Sequence, residues 1–195
     1  MKTITEYVLL SARLVVVACV SMSWVQARDE TLLRQEAVQI ARDFAGRLKP
    51  RLLQAMESGG PVSAISVCSE QAPEIARRLG AESGWEVKRV SLKARNDKTA
   101  VPDNWEHRVL EDFDRRHAQG EPADSLVRAE TVSGRFRFMK AQPVESLCLV
   151  CHGTAVSDEV KAALASRYPK DQATGYSLGD IRGAISISRP LTEHD

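Results

Sequence analysis

The sequence has almost no net charge: its 195 residues include 27 lysines and arginines against 26 aspartates and glutamates, a formal charge of +1. A basic face that would bind nucleic acid or an anionic membrane surface is therefore not indicated. Repeats and low-complexity segments are also missing, and 43% of the residues are hydrophobic. This balance excludes disordered and collagen-like chains and is typical of one globular domain.

A long apolar run is missing as well. The longest, Leu14–Trp24, is shorter than the about 20 residues that a membrane-spanning helix needs. It follows two basic residues and is followed by Val-Gln-Ala, ending at Ala27, which is the order of a secretory signal peptide. We therefore predict a signal peptide over residues 1–27, export to the periplasm, and a mature domain over residues 28–195 without a membrane span.

Two other interpretations of the N-terminus stay open. Glu6 and Arg13 are unusual inside a signal peptide, so the segment could instead be an uncleaved membrane anchor. The stretch Val16–Cys19 resembles a lipoprotein cleavage box. However, the stretch Leu14–Ala18 before that cysteine is too short for an apolar core of about 7–15 residues.

Cysteines are few, and the exported protein would hold an odd number of them. Of the four in the sequence, Cys19 leaves with the signal peptide, so Cys68, Cys148 and Cys151 remain. Disulfides in exported proteins use cysteines in pairs, so one thiol is left for another role.

Hydrophobic periodicity and turn residues predict an α+β fold. Apolar spacing of three and four predicts helices, and alternation predicts strands, with a hairpin turn at Ser133–Gly134 and a capping box at Asp103 and Glu106. The predicted helices are 30–57, 61–68, 73–83, 103–119 and 157–169, and the predicted strands are 85–95, 126–132, 135–141 and 179–191. Strands joined by hairpins favour an antiparallel sheet with helices on one side.

The stretch Cys148-Leu-Val-Cys151-His152 matches the C-x-x-C-H signature of covalent c-type haem attachment. Each of the two cysteines can form a thioether with one haem vinyl group. Residues i and i+3 project to the same side of a single helical turn, so both sulfurs can reach one haem. The adjacent His152 can then bind the iron as a proximal ligand. We predict one haem c.

Two other uses of this cysteine pair were weighed. A thioredoxin-like redox pair normally opens a helix after a strand in a βαβ unit, and no such unit is predicted here. A structural zinc site needs four ligands, and the sequence has no second C-x-x-C or H-x-x-x-H. Haem attachment remains the interpretation that agrees with export.

The second axial position of the iron has several candidates on the residues alone. Cys68 is the thiol left over by the cysteine count, although a lone cysteine is also common as a small core residue. The other candidates are Met139, His107, His117 and His194.

Five segments together resemble one family of c-type haem proteins with a PAS-like fold, long described as a domain of unknown function. The family includes a haem protein associated with cyanobacterial photosystem preparations. The resemblance covers residues 34–191, and the segments are AISVCSEQAPEIA, VSLKARN, PDNWEHRVLEDF, FMKAQPVESLCLVCHG and DQATGYSLGDIRGAISISRPL.

The resemblance implies that His152 and Cys68 hold the haem iron. Arg95 and Arg182 each lie in one of the five segments, and a guanidinium suits a partly buried carboxylate, so we predict that they pair with the haem propionates. The loop from Arg95 to Pro102 is one residue longer than the family pattern and has Asp97 where proline is usual. This difference concerns the loop geometry rather than the ligands.

Thiolate and imidazole ligands favour the ferric state and predict a low reduction potential. We therefore expect an exported monohaem cytochrome acting in electron transfer, with an unidentified redox partner protein. A haem-based redox or gas sensor working with a separate partner is the alternative, because PAS-like domains often act as sensors. A redox enzyme acting on sulfur compounds is a weaker alternative, since no cluster of candidate bases is visible.

Overall fold

A computed structural model describes residues 4–192 of the chain, and its side chains from Asp29 to Thr192. The protein has an α+β fold with one four-stranded antiparallel sheet in the order β1-β4-β3-β2. The helices are α1 (Ile4–Ser66), α2 (Ala72–Ser83), α3 (Asn104–Ala118), α4 (Ser146–His152) and α5 (Asp158–Arg167), and the strands are β1 (Glu86–Val90), β2 (Val127–Val132), β3 (Arg135–Pro143) and β4 (Ile181–Pro190).

The first helix is longer than the sequence predicted. It is continuous from Ile4 instead of beginning at Glu30, so the predicted start is wrong. The predicted break at Ser58–Pro61 is present as a kink, with Gly60 at φ 68°. The side chains of the predicted signal peptide lie outside the described residues, and that segment stays a prediction. Among the residues that the structure describes, no helix is both long and apolar enough to cross a membrane.

The hairpin and the capping box are confirmed. β2 and β3 pair directly, and Ser133 and Gly134 both have positive φ, of 51° and 72°, as a tight hairpin turn requires. Asp103 caps α3 by accepting from the backbone N–H of Glu106, whose side chain accepts in return from the N–H of Asp103. At its other end, β3 has an irregularity at Gln142–Pro143, and α4 begins soon afterwards.

Helices cover both faces of the sheet, so the expectation of helices on one side is wrong. Phe138 and Ile187 lie in the core cluster that α1 and α2 close, whereas Met139 and Ala184 lie in the cluster that α3 closes. Successive residues of a strand point to opposite faces. In β3 and β4, apolar side chains lie on both faces. A sheet that is apolar on both faces needs helices packed against each of them to keep the apolar side chains from water.

Gly183 allows β1 and β4 to approach closely next to Arg182, one of the predicted site residues. Its φ is 156°, and a Cβ atom would lie 2.3 Å from the carbonyl oxygen of Val90. We predict that Gly183→Ala lowers the free energy of unfolding by roughly 1–3 kcal/mol, because the backbone must shift or strain. Urea titration of the mature protein measures this loss.

Gly46→Ala is the matched control for this glycine. A Cβ at Gly46, inside α1, would meet nothing within 4 Å. Alanine is favoured over glycine in a helix by up to about 1 kcal/mol, so this variant should be neutral or more stable. Equal stability of the two variants would contradict the assignment of strain to Gly183.

Candidate cofactor-binding site

The C-x-x-C-H residues form one short helix, as the spacing predicted. Cys148 and Cys151 lie one turn apart on α4, and His152 is its last residue. Among the described residues, Cys68, Cys148 and Cys151 are all free of disulfides, and each is partly exposed. Gly153 ends the helix where a Cβ atom would lie 2.6 Å from the Leu149 carbonyl oxygen, so only glycine lets the chain turn away here.

His152 is buried and held with one ring nitrogen available as an acceptor. Its Nδ1 lies 2.7 Å from the carbonyl oxygen of Ala173. A carbonyl only accepts, so Nδ1 carries the proton and Nε2 carries the lone pair. Burial, with the positive charges of Arg182 and Arg95, lowers the pKa of His152 to about 2. The imidazole is therefore neutral, which is the form that binds a metal.

Cys68 lies in a π-helical turn, Val67–Gln71, between α1 and α2. The sequence predicted that an ordinary helix would run to Cys68, so the local conformation differs from the prediction. The N–H of Ala72 bonds to the carbonyl oxygen of Val67, the i to i+5 pattern of a π-helix. Such turns are rare and often mark functional sites, and this one carries the leftover thiol.

The structure brings the six predicted site residues together around two adjoining cavities of about 290 and 140 Å³. The smaller one is lined largely by apolar side chains from α1, α4 and α5 and by Cys148 and Cys151. The larger one has a mixed lining, with apolar residues such as Ala76 and Val87 and polar ones such as Arg77 and Thr99. The residues that line both cavities are Cys68, Arg89, Arg95, His152, Tyr168 and Arg182.

Arg95 is buried and ties the α4 helix to its surroundings. Its Nη2 donates to the carbonyl oxygens of Cys151, at 2.6 Å, and Ala173, at 3.0 Å. Its Nε lies 3.0 Å from a carboxylate oxygen of Asp171. Two of these contacts hold the backbone around the motif, and its Nη1 lies 3.4 Å from Nε2 of His152.

Arg182 contacts the predicted iron ligand directly. Its Nε donates to Nε2 of His152 at 3.0 Å. Burial, together with the positive charges of Arg89 and Arg95, lowers the pKa of Arg182 to about 10. While this bond exists, the lone pair of Nε2 is engaged, so a metal bound there requires the guanidinium to swing away.

The two cavities carry an excess of positive charge. Arg89, Arg95 and Arg182 all line them, and no aspartate or glutamate within residues 29–192 does so. Buried cations are stable when they are paired, so the arrangement favours a bound group that carries negative charge. A haem fits this chemistry, because its ring is apolar and its two propionates are anionic.

The other candidates for the second axial ligand lie elsewhere. Met139 is fully buried in the core against α3, and the side chain of His107 is exposed, 3.5 Å from Glu111. His117 contacts the carbonyl oxygen of Glu121 at 3.0 Å. His194 lies outside the described residues.

Sequence reasoning missed several residues of the site. Arg89 shares the inward side of β1 with Val87, and strand alternation could have suggested it. Asp171 lies in a segment used for the family resemblance, but nothing marked its side chain. Tyr168 lies just past α5 and lines both cavities. Met56 lines the smaller cavity, and its thioether was not among the predicted candidates for the second iron ligand.

Neither alternative use of the cysteine pair finds support in the geometry. Within the described part of the chain, no group of three or more His, Cys, Asp or Glu side chains is arranged to hold a metal ion. A haem iron needs only axial side chains, since the porphyrin supplies its other four donors. All strand pairs of the sheet are antiparallel, so α4 does not follow a strand of a βαβ unit.

The chain resembles known proteins in fold and in sequence. The crystal structure of the cyanobacterial heme-protein Tll0287 superposes with a TM-score of 0.62 at 24% sequence identity, covering 85% of this chain and 96% of that one. This likeness shows a shared fold. No curated protein matches the chain. A family model described as Tll0287-like matches residues 17–190 of the 195, and the chain therefore belongs to the Tll0287-like family.

Proposed function

We propose that this chain is an exported monohaem c-type cytochrome that transfers electrons in the periplasm. Its haem is attached through Cys148 and Cys151, and its iron is held by His152 and Cys68. The observation that carries the proposal is that His152 and Cys68 line the same two cavities, with the cysteine pair of α4 at the apolar one.

The two cavities support this proposal by the residues that line them. The apolar cavity, lined by residues such as Leu52, Ile65 and Leu147, suits the hydrophobic porphyrin ring and places it beside the two thiols. The larger cavity, which Arg77 and Lys88 also line, suits the propionates, for which Arg95 and Arg182 are the proposed partners. A PAS-like class for the fold is part of the proposal and is supported by the antiparallel sheet and its flanking helices.

When bound, the haem iron supplies one-electron chemistry by alternating between its ferric and ferrous states. The chain's own residues set how readily this happens. His152 stays neutral and oriented by Ala173, and a Cys68 thiolate favours the ferric state, so the potential is low. If His152 and Cys68 both hold the iron, no position on it would stay open for a substrate, which would favour electron transfer to a partner protein.

A sensor of redox state or of a gas is the second candidate, and the π-helical turn favours it. Cys68 sits in a turn with an i to i+5 hydrogen bond instead of the regular α-helical pattern, and such turns are often found at functional sites. Departure of the sulfur would open the iron to a diatomic ligand. A sulfur-compound enzyme has no specific observation in its favour, because within residues 29–192 no carboxylate lines the two cavities beside Cys68 and His152.

Covalent haem attachment tests the proposed function directly. We predict that the protein, expressed with its N-terminus in cells that mature c-type cytochromes, fractionates with the periplasm and keeps haem after acid–acetone extraction. Intact mass should equal the polypeptide without residues 1–27 plus one haem. Cys148→Ser/Cys151→Ser should lose the covalent haem, whereas Cys68→Ala should keep it. A polypeptide mass without haem, from cells that mature other c-type cytochromes, overturns the proposal.

A further inference from the structure

Arg89 connects three elements at the point where Cys68 is held. It lies on β1, and its Nη2 donates to the backbone carbonyl oxygen of Cys68 at 3.3 Å. Its guanidinium also lies over the ring of Phe44 on α1, with 5.8 Å between the guanidinium carbon and the ring centroid. One side chain therefore links the sheet, the long helix and the π-helical turn.

The carbonyl of Cys68 depends on this side chain because of a proline. In a π-helix the donor for residue 68 is the N–H of residue 73, but Pro73 has no N–H. The donor of an ordinary α-helix would be Ala72, and its N–H is already bonded to Val67. The backbone around Cys68 thus leaves its carbonyl without a regular helical donor, and Arg89 supplies one.

We propose that Arg89 is a positioning residue, which holds the π-helical turn in place so that the sulfur of Cys68 faces His152. The proposal rests on the proposed function, in which Cys68 and His152 hold the iron. Without the bond from Arg89, the turn lacks its anchor to the sheet, and Cys68 spends less time at the ligand position.

The reduction potential separates this role from a simple effect of charge. Loss of a positive charge close to the iron makes reduction less favourable, so it lowers the potential. Loss of thiolate ligation has the opposite effect and raises it. A positioning role for Arg89 therefore predicts a higher potential together with a loss of the low-spin ferric signal.

The experiment uses the full chain matured with haem and measures its ferric electron paramagnetic resonance signal, visible spectrum and potential. We expect Arg89→Met to keep covalent haem but to lower the ratio of low-spin to high-spin iron roughly tenfold, as the loss of one charge-assisted hydrogen bond implies. Arg89→Lys, which keeps a donor, should restore most of the low-spin signal. Arg128→Gln, an exposed arginine on β2, should change nothing.

Pro73→Ala gives a second, independent test. It restores an N–H that can bond to the carbonyl of Cys68, so Arg89→Met should have a smaller effect in the Pro73→Ala background than alone. Such non-additivity is expected only if both residues act on the same carbonyl. If Arg89→Met does not accumulate, Arg89→Gln is used instead, once with Pro73 and once with Pro73→Ala. An effect of Arg89→Gln on the ferric spectrum that is the same in both backgrounds overturns the proposal.

Different results would overturn the role of Arg89 and the proposed function. A low-spin spectrum unchanged in Arg89→Met, with a lower potential, means that Arg89 acts only as a charge and overturns the inference alone. A ferric spectrum unchanged in Cys68→Ala removes Cys68 as a ligand and overturns the inference together with that ligand assignment. Absence of covalent haem from the wild-type protein overturns the proposed function itself.

Discussion

Cys68→Ala should raise the reduction potential of the haem and convert the ferric iron from a six-coordinate, low-spin state to one with an open position. If Cys68 binds the iron as a thiolate, it donates electron density, and its loss removes the preference for the ferric state. Axial ligands span a range of about 0.8 V, and we expect a shift on the order of tenths of a volt. Potentiometric titration and electron paramagnetic resonance measure both effects.

Covalent attachment should survive in this variant, because the proposed thioethers would use Cys148 and Cys151 and not Cys68. Carbon monoxide, cyanide and nitric oxide should bind far more readily once the sulfur is gone. Met56 lines the smaller cavity, and its thioether could fill the open position, so Cys68→Ala/Met56→Leu is the control that keeps the site open. Cys68→Met should also raise the potential if its thioether reaches the iron.

The competing hypothesis is that Cys68 only packs the core. In that case Cys68→Ala leaves a small cavity that costs about 1 kcal/mol of stability, and the ferric spectrum does not change. An unchanged spectrum in a folded variant would falsify the ligand assignment. Met56 and the described histidines outside the motif would then have to be tested in turn.

Glu106→Ala should cause a large loss of stability, because Glu106 is a fully buried carboxylate with several charged and polar partners. Its oxygens accept from Lys88 at 3.0 Å, from Ser186 at 2.6 Å and from the backbone N–H of Asp103 at 2.9 Å. Arg137 lies 3.4 Å away. One carboxylate therefore joins the start of α3 to strands β1, β3 and β4.

Truncation to alanine removes this acceptor from Lys88, Ser186 and the N–H of Asp103, whereas Arg137 keeps its 2.6 Å bond to Asp103. We expect the free energy of unfolding to fall by about 3–5 kcal/mol, the range for breaking a buried ion pair by removing one side. Chemical denaturation of the haem-loaded protein measures the loss. Glu106→Gln keeps acceptor capacity without the charge, so its loss of stability should be smaller.

Glu111→Ala is the matched control on the same helix. Glu111 is exposed, and its contact is the 3.5 Å approach to His107 one turn earlier. Surface ion pairs of this kind contribute little, so this variant should unfold within about 0.5 kcal/mol of the wild type. A Glu106→Ala protein as stable as Glu111→Ala would show that the buried network contributes nothing net.

Local patterns accounted for much of the fold. The hairpin, the cap of α3, the break at Gly60 and the short motif helix all depend on residues within a few positions of one another, and each is present. The family resemblance, drawn from five separate segments, is confirmed by the family model over residues 17–190. The side of the sheet that the helices cover was predicted wrongly, because alternation shows which residues share a face but not how many faces are covered.

The sequence by itself determined the proposal of haem attachment. The two thiols and the imidazole lie within five consecutive residues, from Cys148 to His152, so a helical turn can bring them to one haem. The cysteine count left Cys68 over, and the family resemblance proposed its role. These conclusions need only spacing and residue type, which are properties of the chain before it folds.

Only the tertiary structure decided what surrounds that motif. Arg89, Arg95 and Arg182 come from separate parts of the chain, and they meet because β1 pairs with β4 and the loop after β1 packs on α4. The carbonyl of Ala173 orients His152 across 21 positions of sequence. The π-helical turn at Cys68 is likewise anchored by Arg89 from another element. Contacts between residues distant in sequence depend on how the sheet and helices pack, and no local pattern encodes that packing.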